Sequence, residues 1–585
     1  MRVLHRLLEQ HLRQAVAAVL PDADTTALLV RPCPDPKFGD YQTNALMALA
    51  KERKLNPRQL AADVLAKLNV SEWCENVEIA GAGFLNFRLK PDAVAGALQA
   101  AARSEHLFFT KTSAPRTIVI DFSSPNIAKP MHVGHIRSTI LGDSLARVFR
   151  LLGHRVITDN HIGDWGTQFG KLIVGWKEHR PSAAALEFDA LSEMERLYKL
   201  VNQACENDPA VLERARQELV KLQRGDAENL AIWRQMIELS QRQFDQIYSR
   251  LDVTFDCALG ESFYNPRLKG VVQELRDKSI ARESEGAIAV FFDDHPQLKD
   301  KPALIQKSDG GFNYTTTDLA TLEFRVTGMS GTIPVGQMPN EIIYVTDGRQ
   351  QLHFQQLFAI FRRWHPEAKV KLAHVWFGSI LGEDGKPFKT RAGDTVKLVD
   401  LLNEAEERAR KIVAEKNPEL DGSAMDEIAR VVGLGAIKYA DLLPNRQSDY
   451  VFSWDKMLSL QGNTAPYLQY ACTRTRSLAR KAAQNGLIAA NVTELRLSAL
   501  EEVALAKQLL NFGLVLEAVA EEYRPNFLCN YLYDLAGVLS QFRQNCPVIK
   551  SPEPERGSRL VLSDLTGRVL KQGLEVLGIE TLEQM

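Results

Sequence analysis

His132-Val133-Gly134-His135 stands between an apolar run, Thr117 to Phe122, and a stretch of helical period, Ile136 to Gly153. Two His three positions apart on a helix's first turn share a face and point back toward the carboxyl end of the preceding strand. Both imidazoles then reach one phosphate. The helix amino terminus adds unpaired N–H groups and the positive end of its dipole, and Gly134 leaves the backbone open to an adenine ring. That chemistry suits a nucleoside triphosphate. A second cluster, Gly385-Lys386-Pro387-Phe388-Lys389-Thr390-Arg391, follows the expected strand Val370 to Leu381. Its ammonium groups would neutralise charge that builds on a triphosphate as pyrophosphate leaves. Alone it reads equally well as a solvated basic loop, and its partnership with the His motif gives it weight.

Alternating elements must hold these groups. Thr117 to Phe122, Ile136 to Leu152, Arg155 to Ile162, Glu341 to Thr346, His353 to Trp364 and Val370 to Leu381 show the alternation of a parallel, doubly wound sheet. Long amphipathic stretches such as Ala210 to Leu251 interrupt it between about 175 and 300 and read as an insertion. Beyond about residue 400 the pattern is helical, through Asp400 to Lys416, Met425 to Leu442, Pro466 to Asn485 and Ser498 to Tyr523. The opening segment reads as a small α+β module. It has a helix carrying Leu4, Leu7, Leu8, Leu12, Val16 and Val19, helices Thr43 to Lys54 and Pro57 to Leu68, and a strand within Gly81 to Phe87.

Composition sets the bounds. With 585 residues, 45% of them apolar, three or four domains with conventional cores are expected. A net charge of −2 gives no global basic field, so nucleic-acid contacts must come from local patches. Two are candidates: Lys37, Lys51, Arg53, Lys54 and Arg58 beside Phe38 and Tyr41, and Tyr467, Tyr470, Arg474, Arg476, Arg480 and Lys481 on one helix. Each also reads as a solvated helix face. Seven scattered cysteines without a C-x-x-C pair oppose a disulfide framework and a structural zinc, and fit a reducing compartment. No apolar run reaches membrane-span length and the first twenty residues lack a signal core, so a cytoplasmic protein without a membrane partner is expected.

The string Ser123-Ser124-Pro125-Asn126-Ile127-Ala128-Lys129-Pro130-Met131-His132-Val133-Gly134-His135-Ile136-Arg137-Ser138-Thr139 resembles the arginyl-tRNA synthetase version of the HIGH signature of class I aminoacyl-tRNA synthetases. The resemblance covers nearly the whole chain, through Gly39-Asp40-Tyr41-Gln42, Gly163-Asp164-Trp165-Gly166, Gly462-Asn463-Thr464-Ala465-Pro466-Tyr467-Leu468-Gln469-Tyr470 and Leu577-Gly578-Ile579-Glu580. It implies a multidomain α/β protein: an amino-terminal α+β domain over 1–110 that holds the elbow and D-loop of tRNA, and a class I Rossmann-type catalytic domain over 111–400 with the insertion. A helical connection over 401–455 near the tRNA stem and an all-α anticodon-binding bundle over 456–585 complete it.

The activity implied is arginine–tRNA ligation, with L-arginine, ATP as its Mg2+ complex and arginine tRNA as partners, no DNA and no structural metal. The family habit adds a monomer and activation that waits for bound tRNA. By the resemblance His132, Gly134 and His135 bind ATP, and Lys386, Lys389 and Thr390 match positions of the KMSKS loop, with Lys129 as a substitute lysine. An arginine pocket should be acidic, because a guanidinium is always charged and takes carboxylates in bidentate geometry. Asp121, Ser124 and Asn126 are expected at the α-amino and carboxylate end, Tyr314, Asp318 and Glu261 at the guanidinium, and Gln350 at the rim. Phe38, Tyr41, Tyr467 and Arg474 are expected against tRNA. Among rivals, another class I synthetase lacks support from the cysteines or the acidic candidates, and a small-molecule nucleotidyltransferase needs no large terminal modules. A non-enzymatic RNA-binding paralogue fits poorly with His132, His135, Lys129 and Asp318 all in place.

Overall fold

The computed structural model describes residues 3–329, 338–388 and 395–585, which fall into two compact units: Ser113–Asp455, and Met1–Thr112 together with Lys456–Met585. In Ser113–Asp455 a parallel sheet is built from β1 (Thr117–Asp121), β2 (Arg155–Asp159), β3 (Glu341–Tyr344) and β4 (Lys371–His374), in the spatial order β4-β3-β1-β2. Ile118, Val119, Ile120, Ile342 and Ile343 are all 0% exposed, as strands covered on both faces require. From β1 the chain runs through helix α1 (Val133–Leu151) to β2 on one side, and later returns to β3 on the other side of β1. The carboxyl ends of β1 and β3 therefore frame the point where the winding reverses, the usual ligand crevice of such sheets.

β2 is followed by the helices Gln168–His179, α2 (Ala183–Asn207), Pro209–Gln223 and Ala227–Arg250. The expected single stretch Ala210 to Leu251 is two helices, because Gly225 turns at φ 86 and Asp226 caps the second by accepting from Asn229 N–H. A three-stranded antiparallel sheet follows, Ala281–Ser284, Ala287–Val290 and Ala303–Gln306, which the helical pattern did not announce. Helix α3 (Tyr314–Gly328) then precedes β3, and α4 (Gln351–Trp364) joins β3 to β4. The expected strand Val370 to Leu381 divides. β4 ends at His374, and Ile380–Leu381 instead pairs in parallel with Tyr450–Val451. Arg446 and the buried Arg137 of α1 draw the carbonyls of Trp376 and Gly378 out of the ladder.

The other unit holds an antiparallel sheet in the order Arg31–Pro32, Tyr41–Thr43, Phe84–Leu89, Cys74–Ala80, flanked by helices such as Leu4–Val19 and Pro91–Ala102. Its carboxyl-terminal part is helical, through Ala465–Gln484, Leu500–Leu510, Phe512–Glu522, Asn526–Asn545 and Glu555–Val576. Residues Leu500–Glu522 are long and apolar enough by composition to cross a membrane, which corrects the reading that no run reaches that length. Their packing is that of a core helix pair: 56% of the apolar window is buried, and buried Glu502 pairs with Arg559 at 2.6 Å.

Candidate active site

The chain turns sharply after β1. Ser123, Ser124 and Ala128 hold φ of 73°, 49° and 61°, left-handed values that cost energy for residues with a Cβ. Side chains from three other elements clamp them. Ser123 N–H donates to Ser138 Oγ at 2.9 Å, Ser124 N–H to Asn160 Oδ1 at 3.0 Å and Ala128 N–H to Ser240 Oγ at 3.1 Å. Gly163 passes close by, where a Cβ would lie 2.2 Å from Asn126 Oδ1. Asn126 itself is exposed.

This turn delivers His132 to the N-cap of α1. His132 Nδ1 accepts from Gly134 N–H at 3.0 Å and His135 Nδ1 accepts from His132 N–H at 3.1 Å, a reciprocal capping box built from two histidines. Because both Nδ1 atoms accept, each neutral ring carries its proton on Nε2 and offers an N–H outward. Burial and the neighbouring His132 hold His135 down at about 3, and burial with Arg349 and Lys129 lowers His132. Both rings are thus neutral donors near pH 7, with centroids 4.0 Å apart. The expectation of free main-chain N–H groups here needs correction. Val133 N–H donates to Val396 O at 2.9 Å, Gly134 N–H to His132 Nδ1 at 3.0 Å and His135 N–H to His132 O at 2.8 Å. The two Nε2–H groups are what the cap leaves facing outward. Gly134 is required for a local reason too, since a Cβ would stand 2.8 Å from His132 Cε1.

Across the crevice lies an acidic pocket. Asn313 caps α3 by accepting from Thr315 N–H at 3.1 Å, so exposed Tyr314 and half-buried Asp318 share a face one turn apart. Asp318 Oδ2 accepts from His353 Nε2 at 2.6 Å, and the His353 ring lies edge-on to Tyr314 at 4.8 Å. His161 donates Nδ1–H to Leu259 O at 3.0 Å, leaving its buried Nε2 unpartnered 3.9 Å from Asp318 Oδ1. Burial pushes the Glu261 carboxyl up to about 7; His161 pulls it down, and Asp318 and Asp164 push it up. Gly260 permits this crowding, since a Cβ there would lie 2.3 Å from the Asp164 carboxylate. Carboxyl groups so placed favour a further cation beside the two imidazoles. Sequence reasoning missed His161 and His353, which no local motif marks.

Asp121 occupies a different position from the one expected. Its Oδ2 pairs with Arg325 at 2.8 Å and its Oδ1 accepts from Ser124 Oγ at 3.0 Å, so its carboxylate is engaged beneath the site. Arg325, fully buried on α3, also pairs with Asp159 at 2.7 Å and lies 5.2 Å from the Tyr344 ring centroid. One guanidinium therefore ties together the ends of β1 and β2 and the last turn of α3. Arg325 was invisible in the sequence as anything but a helix-face cation. Exposed Gln350 ends the short turn Gly348–Gln350 after β3, and its N–H donates to Asp347 O at 3.0 Å.

Lys386 is exposed in a tight reversal closed by Gly382 N–H to Lys386 O at 2.7 Å, and Phe388 beside it stacks on Phe452 at 4.6 Å. Lys389 and Thr390 lie outside the described residues. In the other unit Phe38 is 53% exposed, with the Lys37 ammonium 4.7 Å from its ring centroid. Tyr41 is 2% exposed, which corrects its expected place against RNA: its ring belongs to the sheet's core. Tyr467, Tyr470, Arg474 and Arg543 line a groove of about 280 Å3 between helices Ala465–Gln484 and Asn526–Asn545. Arg474 lies 5.5 Å from the Tyr470 ring centroid, and burial with the proximity of Arg474 lowers the pKa of Arg543. Two neighbouring guanidiniums and aromatic rings suit a nucleotide. Arg543 was not singled out in the sequence.

Three family descriptions match: tRNA synthetases class I (R), catalytic domain, over residues 97–454; the DALR anticodon binding domain over 468–585; and the arginyl tRNA synthetase N terminal domain over 6–89. The chain is 46% identical over 591 residues to an arginine–tRNA ligase of Klebsiella pneumoniae subsp. pneumoniae, covering 100% of both chains. It is 46% identical over 595 residues to one of Synechococcus sp., covering 99% of each. In structure it is similar to arginyl-tRNA synthetase from Plasmodium falciparum, with a TM-score of 0.82, 29% identity and 100% of both chains covered. The Thermus thermophilus arginyl-tRNA synthetase matches with a TM-score of 0.81, 27% identity and 100% of both chains covered.

Proposed function

The chain belongs to the arginyl-tRNA synthetases of class I, and on that premise we infer how its crevice charges tRNA with arginine. Arginine and ATP condense to arginyl-adenylate and pyrophosphate, and arginine then passes to a ribose hydroxyl at the 3′ end of tRNA. The observation that carries the specificity is the gathering of Asp318, Glu261 and Asp164, with the imidazoles of His161 and His353 beside them, where burial pushes the Glu261 carboxyl up to about 7. A guanidinium entering there restores the carboxylate and completes the charge balance.

No protein nucleophile is needed, because the arginine carboxylate attacks the α-phosphate in line and catalysis is positioning plus charge stabilisation. His132 and His135 donate Nε2–H to phosphate oxygens without carrying charge. Lys129, Lys386 and Lys389 supply the cations, with Thr390 as a further donor. Magnesium enters on the nucleotide, whose oxygens suit a hard cation better than two imidazole N–H groups do. Ser124, Asn126 and Gln350 contact the amino-acid backbone and the rim, with Asp121 holding Ser124 in place. Phe38, Tyr467 and Arg474 contact tRNA, activation waits for bound tRNA, and the enzyme works as a cytoplasmic monomer.

Arginine-dependent exchange of labelled pyrophosphate into ATP, run with and without arginine tRNA and against the other amino acids, tests this reading. Exchange with arginine alone, and only when tRNA is present, is expected. Exchange that another amino acid supports equally overturns the pocket assignment, and exchange without tRNA removes the tRNA requirement.

A further inference from the structure

Helix α2 belongs to the insertion, yet it touches both chain segments that flank the His motif. Upstream, the Lys129 ammonium lies 5.7 Å from the ring centroid of Tyr198, and the Lys171 ammonium lies 5.8 Å from the same centroid. Lys171 is in turn fixed to Asn202 Oδ1, one turn further along α2, at 2.6 Å. Downstream, the backbone of 396–398 runs antiparallel to Met131–Val133, with Leu398 N–H donating to Met131 O at 2.9 Å. The Lys397 side chain reaches back to α2, where it pairs with Asp189 at 3.4 Å and donates to Ser192 Oγ.

The helix is shaped for this second contact. Asp189 leaves helical geometry, at φ −154° and ψ 84°, and restarts the helix by accepting from Ser192 N–H at 3.1 Å. Gln243 fixes the break from the neighbouring helix, donating to Asp189 Oδ1 at 3.1 Å and accepting from Leu191 N–H at 2.8 Å. The other Asp189 oxygen is thereby turned to Lys397.

We propose that α2 is a positioning element for the nucleotide site: Tyr198 aims Lys129 at the triphosphate, and Asp189 with Ser192 holds Lys397 so that its strand stays paired with His132. The inference rests on the ATP-site reading above, since it gives Lys129 a phosphate to meet. An ammonium within about 6 Å of an aromatic centroid is attracted to the ring face, which favours one rotamer of an otherwise exposed lysine. A lysine so restrained loses less entropy when the triphosphate arrives.

The test is steady-state pyrophosphate exchange by the full chain with saturating tRNA, together with direct binding of a fluorescent ATP analogue. Tyr198→Leu is expected to raise the ATP KM and the analogue Kd about five- to tenfold while leaving the arginine KM within about twofold; Tyr198→Phe, which keeps the ring, restores most of the loss. Lys397→Met is expected to raise the ATP KM by a smaller factor and to leave the arginine KM in place. In a cycle with Lys129→Met, Tyr198→Leu should add almost nothing, because its effect passes through that lysine. An unchanged ATP KM in Tyr198→Leu, equal rises in both KM values, or additive losses in the cycle each overturn the proposal. Absence of arginine-dependent exchange in the unaltered protein instead overturns the activity reading, and the analogue Kd then still reports on Tyr198.

Discussion

The two halves of the crevice are prepared for their ligands in opposite ways. On the His132 side everything is settled in advance: each Nδ1 is used by the backbone, each ring is neutral, and the preceding turn is clamped at three left-handed residues. On the Glu261 side carboxyl groups crowd one another, with burial, Asp318 and Asp164 pushing Glu261 up and no hydrogen bond on His161 Nε2. A nucleotide is shared by many proteins, and rigid neutral donors suffice to hold its phosphates. Arginine must be told from other amino acids, and a pocket that is uncomfortable until a cation enters makes that distinction through electrostatics.

The comparison collapses most completely at Arg325, on which both halves stand. Arg325→Met leaves Asp121 and Asp159 buried without their partner and should cost about 3–5 kcal/mol of stability in chemical denaturation. An unfolding midpoint within error of the parent would show that the carboxylates find another partner.

On the nucleotide side, His135→Ala should slow exchange by about 10²–10³-fold. That loss should be flat from pH 6 to 8, because His135 titrates at about 3 and stays neutral throughout. A loss that grows as pH falls through 7 would mean the ring acts as a cation, and the contrast between the halves would vanish.

On the arginine side, Asp318→Asn removes charge but little shape, and should raise the arginine KM by roughly 30-fold or more with the ATP KM held. Equal rises in both would place Asp318 in the structure rather than in the pocket.

The gentlest probe is pH. Burial holds the Glu261 carboxyl up at about 7, and a bound guanidinium favours its ionised form, so arginine binding releases a proton below that pH. Affinity is full above 7 and falls as pH drops, with the arginine KM rising by at most about tenfold per unit. Glu261→Gln should flatten the profile, and an unaltered slope in that variant would separate the pH dependence from Glu261.

What the sequence disclosed was what lies close along the chain. His132 and His135 meet because an N-cap and its third residue always do, and Tyr314 and Asp318 share a face because four positions make a helical turn. What it hid depends on distant partners. Asp121 is engaged by a residue 204 positions later, Arg325, and that is why a carboxylate at a strand's end looked free for substrate. Tyr41 sits in a short strand where the register that buries it comes from pairing with Phe87, and nothing local separates it from exposed Phe38. The run Val370 to Leu381 reads as one strand, yet Arg137 and Arg446 engage the Gly378 and Trp376 carbonyls from outside it. Local pattern reports an element's kind; its ends and its neighbours are set by contacts the pattern does not contain.

The left-handed turn after β1 also has a history in time. Its clamps come from residues 15, 36 and 112 positions away, so the last of them, Ser240, leaves the ribosome well after the turn it secures. At about 5–20 residues per second the delay is roughly 6–22 s. A nascent chain that has already made His132 and His135 still lacks the bond that holds Ala128 in place, so the turn before them is secured only once the insertion has been synthesised.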